Sequence, residues 1–135
     1  MLTIKIKYLH DDLERAQKIS KGDWIDLRCA EEVSIKKGDH AYIPLGVCMQ
    51  LPEGYEAHLT SRSSMAKKFG IFHCDDVGVI DSSYCGDNDE WKLPVIALRD
   101  TVIHKNDRIC QFRLVETMPE VEFVEVDELG NHDRG

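Results

Sequence analysis

Val33-Ser34-Ile35-Lys36-Lys37-Gly38-Asp39-His40-Ala41-Tyr42-Ile43-Pro44-Leu45 is echoed later in the chain by Val102-Ile103-His104-Lys105-Asn106-Asp107-Arg108-Ile109-Cys110-Gln111-Phe112. Both stretches carry Ile-x-Lys, then Gly or Asn, then Asp, then an apolar run. Gly38 and Asn106 are residue types that tolerate the positive φ of a tight turn. Read as two similar hairpins, the stretches predict a pseudo-symmetric β architecture. They are too few for a solenoid.

Outward from these units the pattern stays β. Leu2 to Tyr8 alternates apolar and polar residues, the period-two mark of a half-buried strand. A break at Gly22 precedes Trp24-Ile25-Asp26-Leu27, a second strand. Leu51-Pro52-Glu53-Gly54 reads as a turn. Tyr55, Ala57 and Leu59 alternate, as do Trp91, Leu93 and Val95, and Val121 and Phe123. Residues 77–80 are apolar apart from Gly78 and read as a buried strand. Leu13, Ala16 and Ile19 have helical spacing, so residues 10–19 fit a short helix or an irregular segment. Residues 63–69 predict one short helix, with Ser63 or Ser64 available as N-cap. Turn signals recur about every 8–12 residues, which points to an all-β sandwich or barrel rather than βαβ units. No Pro/Gly/Ser-rich linker divides the chain. The expectation is one domain over residues 1–126, followed by a polar, mobile segment over 127–135.

Bulk properties narrow the function. A chain of 135 residues is long enough to bury roughly two-thirds of its unfolded surface, so one core needs no covalent staples. The net charge of −8 argues against the broad basic face of a nucleic-acid binder. It leaves room for a small polyanion held by a few local cations and a metal. Five cysteines, an odd count without C-x-x-C spacing, point to free thiols in a reducing cytoplasm rather than disulfides or structural zinc. No apolar run suggests a secretory signal or a membrane span.

Three polar stretches interrupt the strand pattern. In Ser61-Arg62-Ser63-Ser64-Met65, a guanidinium and hydroxyls precede a helix start, a combination that suits phosphate. A capped surface helix explains the same residues. In Gly78-Val79-Ile80-Asp81-Ser82-Ser83-Tyr84-Cys85-Gly86, a carboxylate follows an apolar run and an aromatic ring sits beside a turn. Asp81 there can serve as a general base for water and Tyr84 as a wall against a sugar or base. A plain turn Asp and a core Tyr are the alternative. In Asp107-Arg108-Ile109-Cys110-Gln111-Phe112, alternation puts Gln111 beside Ile109, facing a cleft or simply facing water.

Taken together, Asp26-Leu27, Arg62-Ser63-Ser64, Gly78-Val79-Ile80-Asp81 with Tyr84 and Gly86, and Asp107 to Gln111 resemble motifs one to four of the trimeric dUTPase family. The resemblance runs from about residue 22 to residue 113. Gly-Val-Ile-Asp-x-x-Tyr-x-Gly is its most specific part, and Arg-Ser-Ser-Met-Ala-x-Lys-x-Gly-Ile is nearly as specific. There are departures. Asp23-Trp24-Ile25 replaces the usual Ala-Gly before the aromatic and Asp-Leu of motif one. Cys110 stands where a small Ala is usual, and residues 87–92 read as a longer hairpin. Arg134-Gly135 matches only the beginning of the family's Gly-rich fifth motif.

The resemblance implies a β jelly-roll, a homotrimer with active sites at subunit interfaces, and Mg²⁺-dependent cleavage of dUTP to dUMP and pyrophosphate. That reaction limits uracil in DNA and supplies dUMP for thymidylate. By the same resemblance, Asp81 activates the water that attacks the α-phosphorus, and Asp26 holds Mg²⁺ through water. Arg62, Ser63 and Ser64 clamp phosphates, Gln111 adds a hydrogen bond, and Arg134 reaches the γ-phosphate. Backbone groups around Asp75, Asp76, Val77, Gly78 and Val79 read uracil, and Tyr84 packs under the deoxyribose. Some family members carry Asn where Asp75 aligns, and an ionised carboxylate cannot donate a hydrogen bond. Two other readings compete. A dCTP deaminase shares the fold and an Arg-Ser-Ser motif, but needs a Glu that the Val95-Ile96-Ala97-Leu98 strand lacks. A non-catalytic jelly-roll that binds a nucleotide or a partner is the other.

Overall fold

The computed structural model describes residues 1–130, 133 and 134. Asn131, His132 and Gly135, which fall in the tail segment set apart above, lie outside the described residues. The described residues form eleven strands and one helix. The strands are β1 (Lys5–Tyr8), β2 (Ile25–Arg28), β3 (Val33–Ile35), β4 (His40–Pro44), β5 (Val47–Gln50) and β6 (Tyr55–Ser61), then β7 (Ile71–His73), β8 (Val77–Ile80), β9 (Lys92–Ala97), β10 (Thr101–Ile103) and β11 (Arg108–Glu116). Helix α1 covers Met65–Phe69, between β6 and β7. The larger sheet runs β2-β11-β6-β8, a second runs β4-β9-β7, and β1-β5 and β10-β3 form two-stranded ladders. All pairs are antiparallel. This is the all-β architecture expected from the strand pattern, arranged as the jelly-roll that the resemblance implies.

Alternation drives the layering. Ala57 and Leu59 on β6 and Leu93, Val95 and Ala97 on β9 all point inward and are buried. With Trp91, Phe112, Ile43, Met49 and Ile71 they form one core between the sheets. Trp91 and Phe112 meet edge to face, with ring centroids 5.2 Å apart. Cys110 is fully buried among these residues, so its place in the chain is a packing one.

The echoed units take the predicted backbone but are not hairpins. Gly38 has φ 86° and Asn106 has φ 69°. At each, however, the chain leaves one sheet and enters another. β3 pairs with β10, so the first strands of the two units ladder against each other. β4 and β11 go to different sheets. The same holds for the segment after Asp81: β8 belongs to the larger sheet and β9 to the second, so residues 87–92 bridge sheets rather than close a hairpin.

Of the two readings offered for residues 10–19, the irregular one holds, with Leu13 buried and Ile19 exposed. Side chains replace the missing helical bonds: Glu14 N–H donates to Asn106 Oδ1 and Ala16 N–H to the Tyr8 hydroxyl. Val121 and Phe123 form no strand and are exposed, because no neighbouring strand of the same chain reaches them. β8 is an edge strand rather than a buried one, with Val77 and Val79 open to solvent. In β11 the register shifts between Arg108 and Cys110, so Ile109 and Cys110 are both buried and simple alternation fails there. Such a bulge inserts one residue against its partner strand.

Candidate active site

Asp26, Gln111 and Thr60 lie side by side across β2, β11 and β6, and Val77 on β8 continues the row. Their flanking neighbours Leu27, Cys110 and Leu59 are buried, so this row faces away from the core. Arg62 Nε lies 3.3 Å from Asp26 Oδ1, and Arg108 Nη1 lies 3.6 Å from Asp26 Oδ2. The carboxylate of motif one is therefore already flanked by two guanidiniums. The pairing with Arg108 had no signal in the sequence, because it depends on the bulge in β11.

Arg62 and Ser63 also line a cleft of about 350 Å³ with Thr60, Asp76 and Val77. Ser64 occupies the N-cap position of α1, but its hydroxyl does not cap the helix. Five residues make too short a helix for its dipole to matter much; the cations and hydroxyls carry any anion affinity here. Gly70 closes α1 with φ 63°, and a Cβ there would come within 2.7 Å of Arg99 Cγ. Arg99 in turn donates to the carbonyls of Lys67 and Lys68, tying off the helix end.

The second group of residues sits where the sheets part. The chain leaves β7 at His73 and enters β8 at Val77, and these two strands do not ladder with each other. Between them and the start of β9 opens a cleft of about 760 Å³, lined by Asp75, Gly78, Val79, Asp81, Tyr84 and Trp91 among others. Asp81 Oδ1 accepts the Ser83 backbone N–H at 2.8 Å and the Ser83 hydroxyl at 2.7 Å. The backbone bond first, and the hydroxyl second, hold the carboxyl below its ordinary range. Asp81 is thus ionised at neutral pH, and among the described residues no group bonds its Oδ2. Tyr84 donates its hydroxyl to the Glu90 carbonyl at 2.9 Å, and burial leads the causes that push its phenol above the usual value. The ring is held as a partly exposed wall rather than as core.

The turn between β7 and β8 is braced from within. Asp76 has φ 58°, unusual for a residue with a Cβ. Its carbonyl accepts from the Thr60 hydroxyl at 2.7 Å and faces His73 Nδ1 at 2.9 Å. Neither brace was named from the sequence, and neither carries a motif signal. Ser83 was legible in principle, since Asp-x-Ser favours a local turn of this kind. Arg134 is exposed and makes no contact with these groups among the described residues.

No residue of the Arg62–Asp26 group lines the Asp81 cleft. Within one chain the sequence-predicted residues therefore fall into two sets. One can take a base and sugar beside a carboxylate; the other can take phosphate. Among the described residues no cluster of three or more His, Cys, Asp or Glu could hold a metal alone. All five cysteines are free. Burial pushes the Cys29 thiol up to about 11 and raises that of Cys110 as well, which leaves both unreactive. No helix among the described residues is long and apolar enough to cross a membrane.

The dUTPase family profile matches residues 17–135. The SPbeta prophage-derived deoxyuridine 5'-triphosphate nucleotidohydrolase YosS of Bacillus subtilis is 58% identical over 134 residues, covering 99% of this chain and 94% of that protein. The deoxyuridine 5'-triphosphate nucleotidohydrolase of Neorickettsia sennetsu is 36% identical over 128 residues, covering 91% and 83%. A mutant dUTPase from phage phi11 of S. aureus, solved to show its coordination of a structural Mg(II) ion, superposes with a TM-score of 0.79. It shares 21% identity and covers 94% of this chain and 99% of its own. The motif order, the jelly-roll and these relatives agree: the chain belongs to the dUTPase family.

Proposed function

We propose that this chain cleaves dUTP to dUMP and pyrophosphate, with Asp81 as the base that activates water. The observation that carries this reading is the ionised Asp81 carboxylate, fixed by Ser83 beside Tyr84 in an open cleft. Its Oδ2 orients a water and takes its proton as the water oxygen bonds to the α-phosphorus. The bond from that phosphorus to the bridging oxygen breaks, and pyrophosphate leaves. Positioning and charge neutralisation supply most of the acceleration in such chemistry.

Phosphate oxygens fall to Arg62, Ser63 and Ser64, with Gln111 adding a hydrogen bond and Arg134 reaching the terminal phosphate. Asp26 would hold Mg²⁺ through water and the triphosphate would supply direct oxygen ligands, in keeping with an ion that retains several waters. The ion's contribution when bound is to offset phosphate charge. Base recognition belongs to the turn from Asp75 to Val79. Bonds within the turn occupy the Asp76 carbonyl, so pairing with uracil falls to the free edge of β8 from Gly78 onward. Tyr84 then packs under the deoxyribose, where a 2′-hydroxyl would collide.

A homotrimer would join the two sets of residues. Asp81 and Arg62 line separate clefts of one chain, which supports a neighbouring subunit bringing phosphate ligands to the Asp81 cleft. Exposed Val121, Phe123 and Val124 offer apolar surface for that contact. Arg134 would act from the segment that follows the domain over residues 1–126. The setting proposed for this chemistry is the cytoplasmic nucleotide pool.

The direct test incubates the protein with dUTP, dCTP, dTTP and UTP plus Mg²⁺ and assays pyrophosphate and ammonia. The expected result is pyrophosphate from dUTP alone. Ammonia from dCTP would indicate the deaminase, and no product the binding module. A narrower expectation concerns pH. A base works only when deprotonated, so activity falls as pH drops through the Asp81 pKa. Ser83→Ala removes one of two bonds to the charged carboxylate and raises that pKa. The acid limb of kcat/KM therefore moves to higher pH, with little change at pH 8. A profile from pH 4 to 8 that overlays the parent's would show that Ser83 does not tune the base.

A further inference from the structure

His73 is 3% exposed and is the one polar residue of the described core. Its Nδ1 lies 2.9 Å from the Asp76 carbonyl oxygen. That oxygen can only accept, so Nδ1 carries the proton of this bond. Nε2 is buried and has no partner among the described residues, and an unpaired buried polar atom costs stability. An apolar side chain would fill the same space without that cost. What the imidazole adds is its bond to Asp76. Thr60 donates to the same carbonyl from the neighbouring strand, and Asp76 holds a positive φ of 58°. The ring also borders both clefts, the one beside Asp81 and the one beside Arg62, and lies under Gly78, where a Cβ would sit 3.9 Å from His73 Cε1.

We infer that His73 is a positioning residue for substrate selection: with Thr60 it clamps the Asp76 carbonyl and so fixes the spacing of the edge that reads the base. The inference rests on the assignment of uracil recognition to the turn from Asp75 to Val79. The clamp acts on binding of the base and not on the attacking water, because Asp81 is held by Ser83 and not by this turn.

The variants separate the clamp from simple packing. His73→Leu fills much of the space without a donor. His73→Asn places an amide N–H near the position of Nδ1. Thr60→Val removes the second donor from a strand face outside the core. His73→Leu and Thr60→Val are each expected to raise KM for dUTP about tenfold, the scale of one lost hydrogen bond. Both should also narrow the preference for dUTP over dCTP and dTTP, with kcat nearly unchanged. His73→Asn is expected to restore KM. If His73→Leu does not fold, His73→Asn and Thr60→Val carry the test, read against melting curves.

Parental KM in Thr60→Val overturns the clamp. So does equal impairment of kcat and KM in both His73 variants in proportion to lost stability. Amide hydrogen exchange of the parent with and without dUMP checks the underlying assignment. Protection of residues 74–79 supports it. Absence of protection there overturns both the assignment and the inference, whereas protection combined with parental KM in the variants overturns the inference alone.

Discussion

Asp81→Asn is expected to bind dUTP and turn it over roughly 10²–10⁴ times more slowly, the range that a positioned general base contributes. The substitution is close to isosteric. Its amide oxygen can still accept the Ser83 backbone N–H and hydroxyl that hold the parent carboxylate at 2.8 and 2.7 Å. What disappears is the ionised oxygen that takes the proton from water. Because Asp81 is exposed and outside the core, the fold loses little, and surface changes of this kind usually alter stability by less than about 0.5 kcal/mol. Single-turnover measurements with saturating dUTP separate the chemical step from binding. Loss confined to that step, with the dissociation constant for an unreactive dUTP mimic unchanged, fits a base. Parental turnover would remove Asp81 from the mechanism, and weakened binding with normal turnover would make it a ligand holder.

The residues that were legible in the sequence are those whose role is local. Alternation identified Ala57 and Leu59, and Leu93 and Val95, as inward-facing, because side chains on a strand have period two whatever the partner strand is. Gly38 and Asn106 were legible because a positive φ selects residue types directly. The helix at Met65–Phe69 was likewise set by its own few residues and ends at Gly70.

Pairing was not legible. The turn at Gly38 looks like a hairpin turn, yet β3 and β4 join different sheets. Periodicity says which face is buried and is silent about which neighbour completes the ladder. The bulge near Ile109 had the same cause: an extra residue in a strand changes the face of everything before it without changing composition. The site shows this division too. Asp81 and Tyr84 share one cleft because they are three residues apart on one loop. Asp26 and Arg62 meet through pairing of distant strands. The braces on Asp76 from Thr60 and His73 are tertiary contacts between ordinary strand residues, and no spacing advertises them.

Trp91→Ala carries the largest expected loss of stability, about 3–5 kcal/mol by comparison with other buried aromatic truncations. Trp91 is fully buried, packs edge to face on Phe112, and lines the Asp81 cleft. Its backbone N–H donates to the Val47 carbonyl, and its carbonyl accepts from Leu45 N–H, so the backbone stays pinned when the ring is removed. The surroundings then cannot collapse into the space, which places the cost toward the upper end of the range. At this chain length the loss corresponds to a fall in Tm of about 10 °C or more. Trp91→Phe is the informative control. It keeps an aromatic ring against Phe112 and discards an indole N–H that has no partner among the described residues, so it is expected to cost much less. Both variants have to be melted at one protein concentration, because any self-association would make apparent stability concentration-dependent. With the floor of the cleft gone, Trp91→Ala is also expected to lose dUTP hydrolysis below its melting temperature, while Trp91→Phe retains it. An alanine variant that melts with the parent would mean that the core does not close around Trp91, and that the loop carrying Asp81 and Tyr84 is supported by something else.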